Sequence, residues 1–442
     1  MANVLLTTQC NLHCAYCFAQ EKMRDSRNQT MSLDDAARVI DFLKSSGHPV
    51  FRAMGGEPTL HPQFPRILQM ALEAGMRVDV LSNATWPESY NRLFQRVSPR
   101  RLFFLLNIDH PDNYRPRIWE AIQRNLAAVA PGGNVTLSFN IFEAEPRYEY
   151  VLELARKYAI DKVRMSFSLP VVGAQNACLK LEDYKRLAPF VVDFARRAEE
   201  AGIEARMDNV VPLCIFSYEQ AGELLLKGIV DLKRNARCEP IIDIGPDLKV
   251  WCCFCLSKLW NRRLDEFQNL QEIQAYYRQA MGLYQGRLFP MEECYTCRYR
   301  EQWDCQGGCL SFAVMKHGEL TLEKQPQRPP APCEGDGWKP SAVLALSPDV
   351  EVQHYDLPED SWAIFDKRSG LEMEVGASFQ PLLNLLNGQY SAQEVVDRFA
   401  GGGPRSQSDS LVAAFAEDAL KQGAQDLLTG MLHQGFLVER PT

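Results

Sequence analysis

The sequence predicts an α/β protein: a partial, TIM-type (β/α)6 barrel, then a cysteine-rich domain, then a small α+β domain. Three observations lead there. Apolar, β-rich runs alternate with amphipathic helical segments through the first 215 residues; nine of the 14 cysteines fall between Cys238 and Cys333; and past the proline-rich "QPQRPPAPC" the composition changes and cysteines stop. The expected domains are residues 1–215, 216–339 and 340–442, in line with the roughly three domains that this chain length suggests.

In the first domain, "NVLLTT", "PVFRAM", "RVDVLSN", "LFFLLNI", "VTLSFNI" and "KVRMSF" read as buried parallel strands, because continuous apolar runs suit strands covered on both faces. Between them, "SLDDAARVIDFLKSSG" opens on Ser32 as an N-cap and stops at Gly47, while "FPRILQMALEAG" and "YEYVLELARKYA" carry helical apolar spacing. In a barrel of such units the loops after the strands line the reaction face. Cys10 stands just after the first strand.

Composition is that of an ordinary globular protein, 46% hydrophobic and 24% charged, with a net charge of -8 and a pI near 5.6. No basic field favours nucleic acid or an anionic membrane, so neither is an expected partner. The start "MANVLLTTQC" lacks a charged n-region and long apolar h-region, and no run of 18 apolar residues occurs; a cytoplasmic protein is expected. There a disulfide framework is disfavoured, and the cysteines are better read as metal ligands in two separate regions.

The first region is "CNLHCAYCF", with Cys10, Cys14 and Cys17 and no fourth cysteine nearby. Structural zinc, the competing chemistry, usually takes four protein ligands, whereas a 4Fe-4S cluster held by three cysteines keeps one iron free for a small molecule. With Tyr16 before the last cysteine, and "MGGEP" after the second strand, the chain resembles the radical S-adenosylmethionine (SAM) enzymes. That resemblance implies a cluster on Cys10, Cys14 and Cys17, a glycine-rich approach to SAM at Gly55 and Gly56, and Glu57 supporting its ammonium group. It further offers Ser82 and Asn83 for the ribose or substrate, Arg115 or its neighbour Arg117 for the SAM carboxylate, Asn140 for the ribose, and Arg164 as a further candidate.

The second region, "CEPIIDIGPDLKVWCC" followed by "CYTCRYREQWDCQGGC" and Cys333, resembles the SPASM extension, which carries two auxiliary 4Fe-4S clusters. The resemblance assigns Cys238, Cys253 and Cys309 to the first, and Cys294, Cys297, Cys305 and Cys333 to the second, making three clusters in all; a zinc ribbon is the alternative for the later four. Two departures stand out: Leu248 occupies the position of a usual glycine, and the Cys297 to Cys305 gap is two residues longer than common. The fourth ligand of the first auxiliary cluster stays open between Cys252, Cys255 and none. Phe254 stands where sulfatase-maturing relatives carry an aspartate base. Cys214, in "MDNVVPLCIF", belongs to neither set and is expected to be an inert packing thiol.

In the last domain "WAIFDKRSGLEMEV" reads as a hairpin about Lys367 to Gly370, and "FQPLLNLLNG" as a helix stopped by Gly388. "SAQEVVDRFA" reads as a helix with a Ser391/Glu394 capping box, "AQDLLTGMLHQG" as a helix and "FLVER" as a short strand. This pattern resembles a winged-helix-like PqqD-type peptide-recognition element. The combined resemblance implies a ribosomal peptide maturase: a 5'-deoxyadenosyl radical takes hydrogen from a precursor peptide docked by its leader, with flavodoxin or ferredoxin as electron donor, giving a crosslink or oxidation. A small-molecule SPASM enzyme, for instance on a tetrapyrrole side chain, is the enzyme alternative. A non-catalytic electron-relay protein is the remaining one.

Overall fold

A computed structural model describes residues 1–20, 29–231, 235, 237–301 and 305–318, and in the C-terminal part 343–355, 361–367, 372–376, 380–401, 424–425, 428, 431 and 437–440. The chain forms two compact units, Met1–Leu320 and Thr321–Thr442.

All six expected strands of the first unit form: β1 (Ala2–Thr7), β2 (Val50–Gly55), β3 (Arg77–Ser82), β4 (Leu102–Asn107), β5 (Val135–Ile141) and β6 (Lys162–Phe167). They pair in parallel and in chain order, as a partial TIM-type barrel requires. Every residue of β1 is buried, which explains why its run is apolar without alternation. The sheet is larger than expected. β7 (Glu204–Met207) adds parallel to β6; β8 (Ile242–Ile244) adds parallel to the other edge of β1, and β9 (Lys249–Cys252) and β10 (Arg262–Arg263) follow antiparallel. The order β10-β9-β8-β1-β2-β3-β4-β5-β6-β7 is open at both ends. The cysteine-rich segment thus begins by extending the barrel sheet.

Helices follow the strands for local reasons. In Leu33–Ser45 the Ser32 hydroxyl accepts from the Asp35 amide at 3.0 Å; such a cap contributes about 1 kcal/mol. Ala36, Val39, Ile40 and Leu43 bury one face of it, and Gly47, at φ 70°, turns the chain toward β2. Burying each of the larger three contributes roughly 1.5–3 kcal/mol. Phe64, Trp86, Phe94 and Phe104 knit the helices to β4 through edge and tilted ring contacts. Among the described residues, no helix is long and apolar enough to cross a membrane.

Among its described residues the C-terminal unit is α+β, with two three-stranded sheets. One is ordered β15-β11-β16 (Asn387–Ser391, Val343–Leu346, Leu437–Arg440) and the other β12-β13-β14 (Val350–Tyr355, Ser361–Asp366, Glu372–Gly376). The expected hairpin is the β13–β14 pair, with Phe365 opposite Glu372; its tip, 368–371, lies outside the described residues. Helix Gln380–Leu385 ends before Gly388, whose φ is 78°. Helix Ala392–Gly401 has the expected capping box, Ser391 N–H donating to Glu394 Oε2 at 2.8 Å and Glu394 N–H to Ser391 Oγ at 3.3 Å. Sequence reasoning missed β11, β12 and β15, since it opened this domain at the hairpin. Most of the expected helix "AQDLLTGMLHQG" lies outside the described residues.

Candidate active site and thiol groups

Cys10, Cys14 and Cys17 occupy the loop after β1, which is held from two sides. The Ala177 amide donates to Ala15 O at 2.9 Å, and Ser168 Oγ and Asn176 Nδ2 donate to Tyr16 O at 3.3 and 3.4 Å. The loop after β6 therefore fixes the end of the cysteine loop. The three thiols are electrostatic neighbours, and burial pushes each of them up to about 11. Backbone N–H groups point at two of the sulfurs, those of Leu12 and Asn11 at Cys10 and of Ala19 and Gln20 at Cys17; the Leu12 bond is 3.4 Å.

The other side is the "GGEP" segment. Gly56 N–H donates to Thr7 O at 2.9 Å and Glu57 N–H to Gln9 O at 2.7 Å, which carries β1–β2 pairing past the strand ends. A Cβ on Gly55 would stand 2.3 Å from Thr7 O, and one on Gly56 2.3 Å from Gln9 O and 2.9 Å from Cys10 Cβ. The glycines thus answer to the cysteine loop itself, a demand that the sequence did not reveal. Glu57 is fully buried. Its Oε1 accepts from Thr59 N–H, Thr59 Oγ1 and Ser82 Oγ, and its Oε2 from Asn83 N–H at 2.8 Å. Burial pushes this carboxyl up, and those hydrogen bonds oppose the shift. Glu57 therefore ties the end of β3 to the turn after β2, spending the Ser82 hydroxyl in doing so. The Asn83 amide reaches Asn11 Oδ1 at 3.1 Å and lies 3.9 Å from Cys10 Sγ.

Tyr16 is buried, and its hydroxyl accepts from Asn107 Nδ2 at 3.1 Å, while Asn140 Nδ2 donates to Asn107 Oδ1 at 2.8 Å. Asn107, which ends β4, links two expected site residues and was missed. A polar residue closing an apolar strand, the same signal that marked Asn140, would have found it. Asn140 lines a shallow cleft beyond β4 and β5 with Asp109, His110, Phe142, Arg147 and Tyr150. Neither Arg115 nor Arg117 lines it. Both are exposed at the start of helix Pro116–Val129. Arg147, in the cleft wall, pairs with Asp112 at 3.2 Å, and Arg164 pairs with Asp208 at 3.0 Å.

The second cysteine region gathers into two groups. In the first, Cys238 and Cys255 are electrostatic neighbours of Cys309, and Cys252 and Cys255 of Cys253. Bonds from Cys252 and from Cys238 hold Cys253 and Cys309, respectively, well below the ordinary thiol range. Cys252 interacts with Cys253 and Cys238 as well, and its side chain is buried in the core 3.4 Å from Met281 Sδ. Leu248 takes φ 59° and Cys253 φ 54°. The departure from glycine at 248 therefore leaves the left-handed turn in place, at a cost of about 1–2 kcal/mol, offset by burial of the leucine side chain. Cys255 O accepts from Val172 N–H at 2.9 Å, so the loop after β6 holds this group as well as the first thiols. Phe254 packs with Trp251, Met54, Leu5 and Ala19, with Cys17 against them, in an apolar cluster.

In the second group Cys294, Cys297 and Cys305 line one small pocket together with Cys214. An inert packing role was expected for Cys214; it is half-buried and sits among candidate ligands. Cys333 lies outside the described residues.

The donor sets suit iron–sulfur clusters, which take thiolates and are tuned by hydrogen bonds to sulfur. Besides the amides directed at Cys10 and Cys17, Leu310 N–H points at Cys238, Leu256 N–H at Cys253 and Ser311 N–H at Cys309. The fully buried Tyr184 hydroxyl has no hydrogen-bond partner among the described residues, and Cys309, Cys178 and Cys255 are its electrostatic neighbours. An orphaned buried donor costs about 1–3 kcal/mol, and a cluster sulfur would satisfy it.

Comparison with known proteins bears on this arrangement. Residues 4–163 match the family model of the Radical SAM superfamily. The chain is 39% identical over 80 residues to Fe-coproporphyrin III synthase of Methanosarcina barkeri, covering 18% of this chain and 20% of that protein. It is 30% identical over 205 residues to AdoMet-dependent heme synthase of the same organism, covering 44% and 58%. The chain thus spans from a fifth to somewhat over half the length of these relatives. Among solved structures, Streptococcus suis SuiB bound to precursor peptide SuiA superposes with a TM-score of 0.52 at 15% identity, over 72% of this chain and 73% of that one. At that identity the likeness is one of fold.

Proposed function

We propose that this chain, an enzyme of the Radical SAM superfamily by its residues 4–163, is a peptide maturase that removes hydrogen from a residue of a ribosomally made precursor. The family implies SAM and a 4Fe-4S cluster, for which Cys10, Cys14 and Cys17 are the ligands. When bound, that pair supplies one-electron cleavage of the SAM sulfonium to methionine and a 5'-deoxyadenosyl radical able to take an unactivated C–H hydrogen.

The chain's own residues do the positioning. Gly55, Gly56 and Glu57 hold the Cys10 turn, and the Oε2 atom of Glu57, which accepts one bond, keeps a lone pair for the SAM ammonium. Ser82 acts through Glu57, Asn83 stands beside Cys10, and Asn107 aligns Tyr16 with Asn140 at the mouth of the cleft. In that cleft Arg147 is better placed than Arg115 to meet a carboxylate. The apolar cluster of Phe254, Trp251, Met54 and Leu5 excludes water beside Cys17 and offers no base, which disfavours simple alcohol or thiol oxidation. Oxidation or crosslinking removes a second electron and a proton from the substrate, and we assign the electron's exit to two auxiliary clusters in residues 216–339.

The observation that carries the auxiliary assignment is the convergence of Cys238, Cys253, Cys255 and Cys309. Cys255, beside both Cys253 and Cys309, is the fourth ligand in this reading, with Cys252 the alternative; a site closed by four thiols suits a relay better than substrate binding at an open iron. Cys255→Ala is expected to remove about four irons per chain, and Cys252→Ala to leave iron content unchanged, by elemental analysis of anaerobically reconstituted protein; the reverse pattern assigns Cys252 instead.

For the peptide, support comes from the C-terminal unit (340–442 in the proposed division), where among the described residues the β12-β13-β14 sheet ends in β12 and β14. An edge strand can accept a leader segment through backbone hydrogen bonds. Truncation before Pro340 should leave uncoupled SAM cleavage within about twofold while lowering leader affinity at least tenfold, equivalent to about 1.4 kcal/mol, by anisotropy with a labelled leader. The names of the two Methanosarcina barkeri relatives favour a second reading, a tetrapyrrole substrate. Mass spectrometry separates the two: a mass loss in a co-expressed precursor encoded nearby supports the maturase, and turnover of a tetrapyrrole with no peptide change replaces it.

A further inference from the structure

We propose that Cys214 is the fourth thiolate of the site formed by Cys294, Cys297 and Cys305, so that the segment leaving the barrel closes the second auxiliary site. This rests on the reading of those three cysteines as cluster ligands, and it gives Cys214 the place that family resemblance assigns to Cys333.

The four cysteines line one small pocket. Cys214 interacts electrostatically with Cys305 and Cys297, and Cys294 with Cys214, so the fourth thiol belongs to the group and does not stand apart from it. The local structure is built for that approach. Pro212 leads into a single turn at Leu213–Ile215, and the amide of Leu213, the residue before Cys214, points at the Cys305 sulfur. Gly307 N–H donates to the same sulfur at 3.3 Å.

Both glycines of "CQGGC" are needed there. Gly308, at φ 87°, faces the Pro212 ring, where a Cβ would come within 2.9 Å of Cδ; Gly307, at φ 85°, faces Pro290 and Cys294, where a Cβ would stand 2.9 Å from the Pro290 ring and 3.6 Å from Cys294 Sγ. A side chain at 308 would push the Pro212–Cys214 turn away from the other three thiols, and one at 307 would press on Pro290 and Cys294 on the opposite wall. The cavity wall also carries Arg300, whose buried Nε–H makes no hydrogen bond among the described residues. A guanidinium with an unused buried donor suits an anionic occupant, and a cluster held by four thiolates carries net negative charge.

The test uses the full chain, reconstituted anaerobically, with iron, labile sulfide and the EPR spectrum of the reduced protein as readouts. Cys214→Ala and Cys294→Ala are each expected to lose about four irons of about twelve, while Cys333→Ala keeps them. Cys214→Ser, nearly isosteric, serves if the alanine variant does not fold; it is expected to alter the EPR signal of one cluster with an unchanged circular-dichroism melt. Retained iron in Cys214→Ala with an unaltered spectrum in Cys214→Ser, while Cys294→Ala loses iron, overturns the role of Cys214 and leaves the auxiliary site standing. Full iron in Cys294→Ala overturns the auxiliary site and Cys214 with it.

Discussion

Alanine at Cys10, Cys14 and Cys17 together is expected to remove about four of about twelve irons per chain and to abolish SAM cleavage. The loop should survive the change, because the bonds that anchor it run through backbone atoms: Ala177 to Ala15 O, Ser168 and Asn176 to Tyr16 O, and Glu57 N–H to Gln9 O. None of these uses a sulfur. The variant therefore separates folding from metal binding, and an unchanged melting curve should accompany the lost iron. Cluster loading must displace protons from thiols that burial holds at about 11, and alanine offers nothing to deprotonate. The measurements are iron analysis and chromatographic detection of 5'-deoxyadenosine after dithionite reduction. Retained iron, or continued cleavage, removes the assignment of this motif.

What was legible in the sequence was what depends on neighbours in the chain. The six barrel strands announced themselves as apolar runs, because a strand covered on both faces needs no alternation. The capping box at Ser391 and the spacing of the first three cysteines are equally local. What escaped depends on contacts across the sheet. "EARM" became β7 with only Ala205 and Met207 buried, too short a signal to register against a helical background. β8 is three residues long, and its place beside β1 is fixed by pairing across some 240 positions of chain, which no window of sequence reports.

The same distinction runs through the candidate site. Glu57 was picked out for a ligand, but its own hydrogen bonds go to Thr59, Ser82 and Asn83, partners visible only once β2 and β3 lie side by side. Asn107 was hidden in an apolar run that was read for its strand alone. Cys214 looked like core because "VVPLCIF" is apolar; its neighbours Cys294, Cys297 and Cys305 arrive from a segment about 80 residues later. Leu248 was legible as a departure from the family pattern but not its consequence, since the positive φ that glycine would supply is adopted by the leucine itself.

Gly56→Ala should lower SAM cleavage by about 100-fold while lowering the melting temperature of the protein by only about 2–10 °C. The new Cβ would lie 2.3 Å from Gln9 O, 2.7 Å from Gln9 C and 2.9 Å from Cys10 Cβ. Two of these are backbone atoms, so no flexible side chain can swing aside. Relief requires the β1 exit to move from the GGEP turn, which breaks Glu57 N–H to Gln9 O at 2.7 Å and Gly56 N–H to Thr7 O at 2.9 Å and displaces Cys10 with them. Overpacking of this kind costs about 1–3 kcal/mol, less than the net stability of about 5–15 kcal/mol of a typical fold, so the protein stays folded. Activity is more sensitive, because a misplacement of about 1 Å at a reacting centre can cost about 100-fold. Gly222→Ala is the matched control: a Cβ there meets nothing within 4 Å, it lies inside helix Tyr218–Leu226, and alanine should stabilise that helix by about 1 kcal/mol without touching the thiols. The decisive comparison is 5'-deoxyadenosine formation at equal iron content. Cleavage in Gly56→Ala within about threefold of the Gly222→Ala control would mean that the loop yields more easily than its backbone contacts imply, and that Gly56 does not fix Cys10.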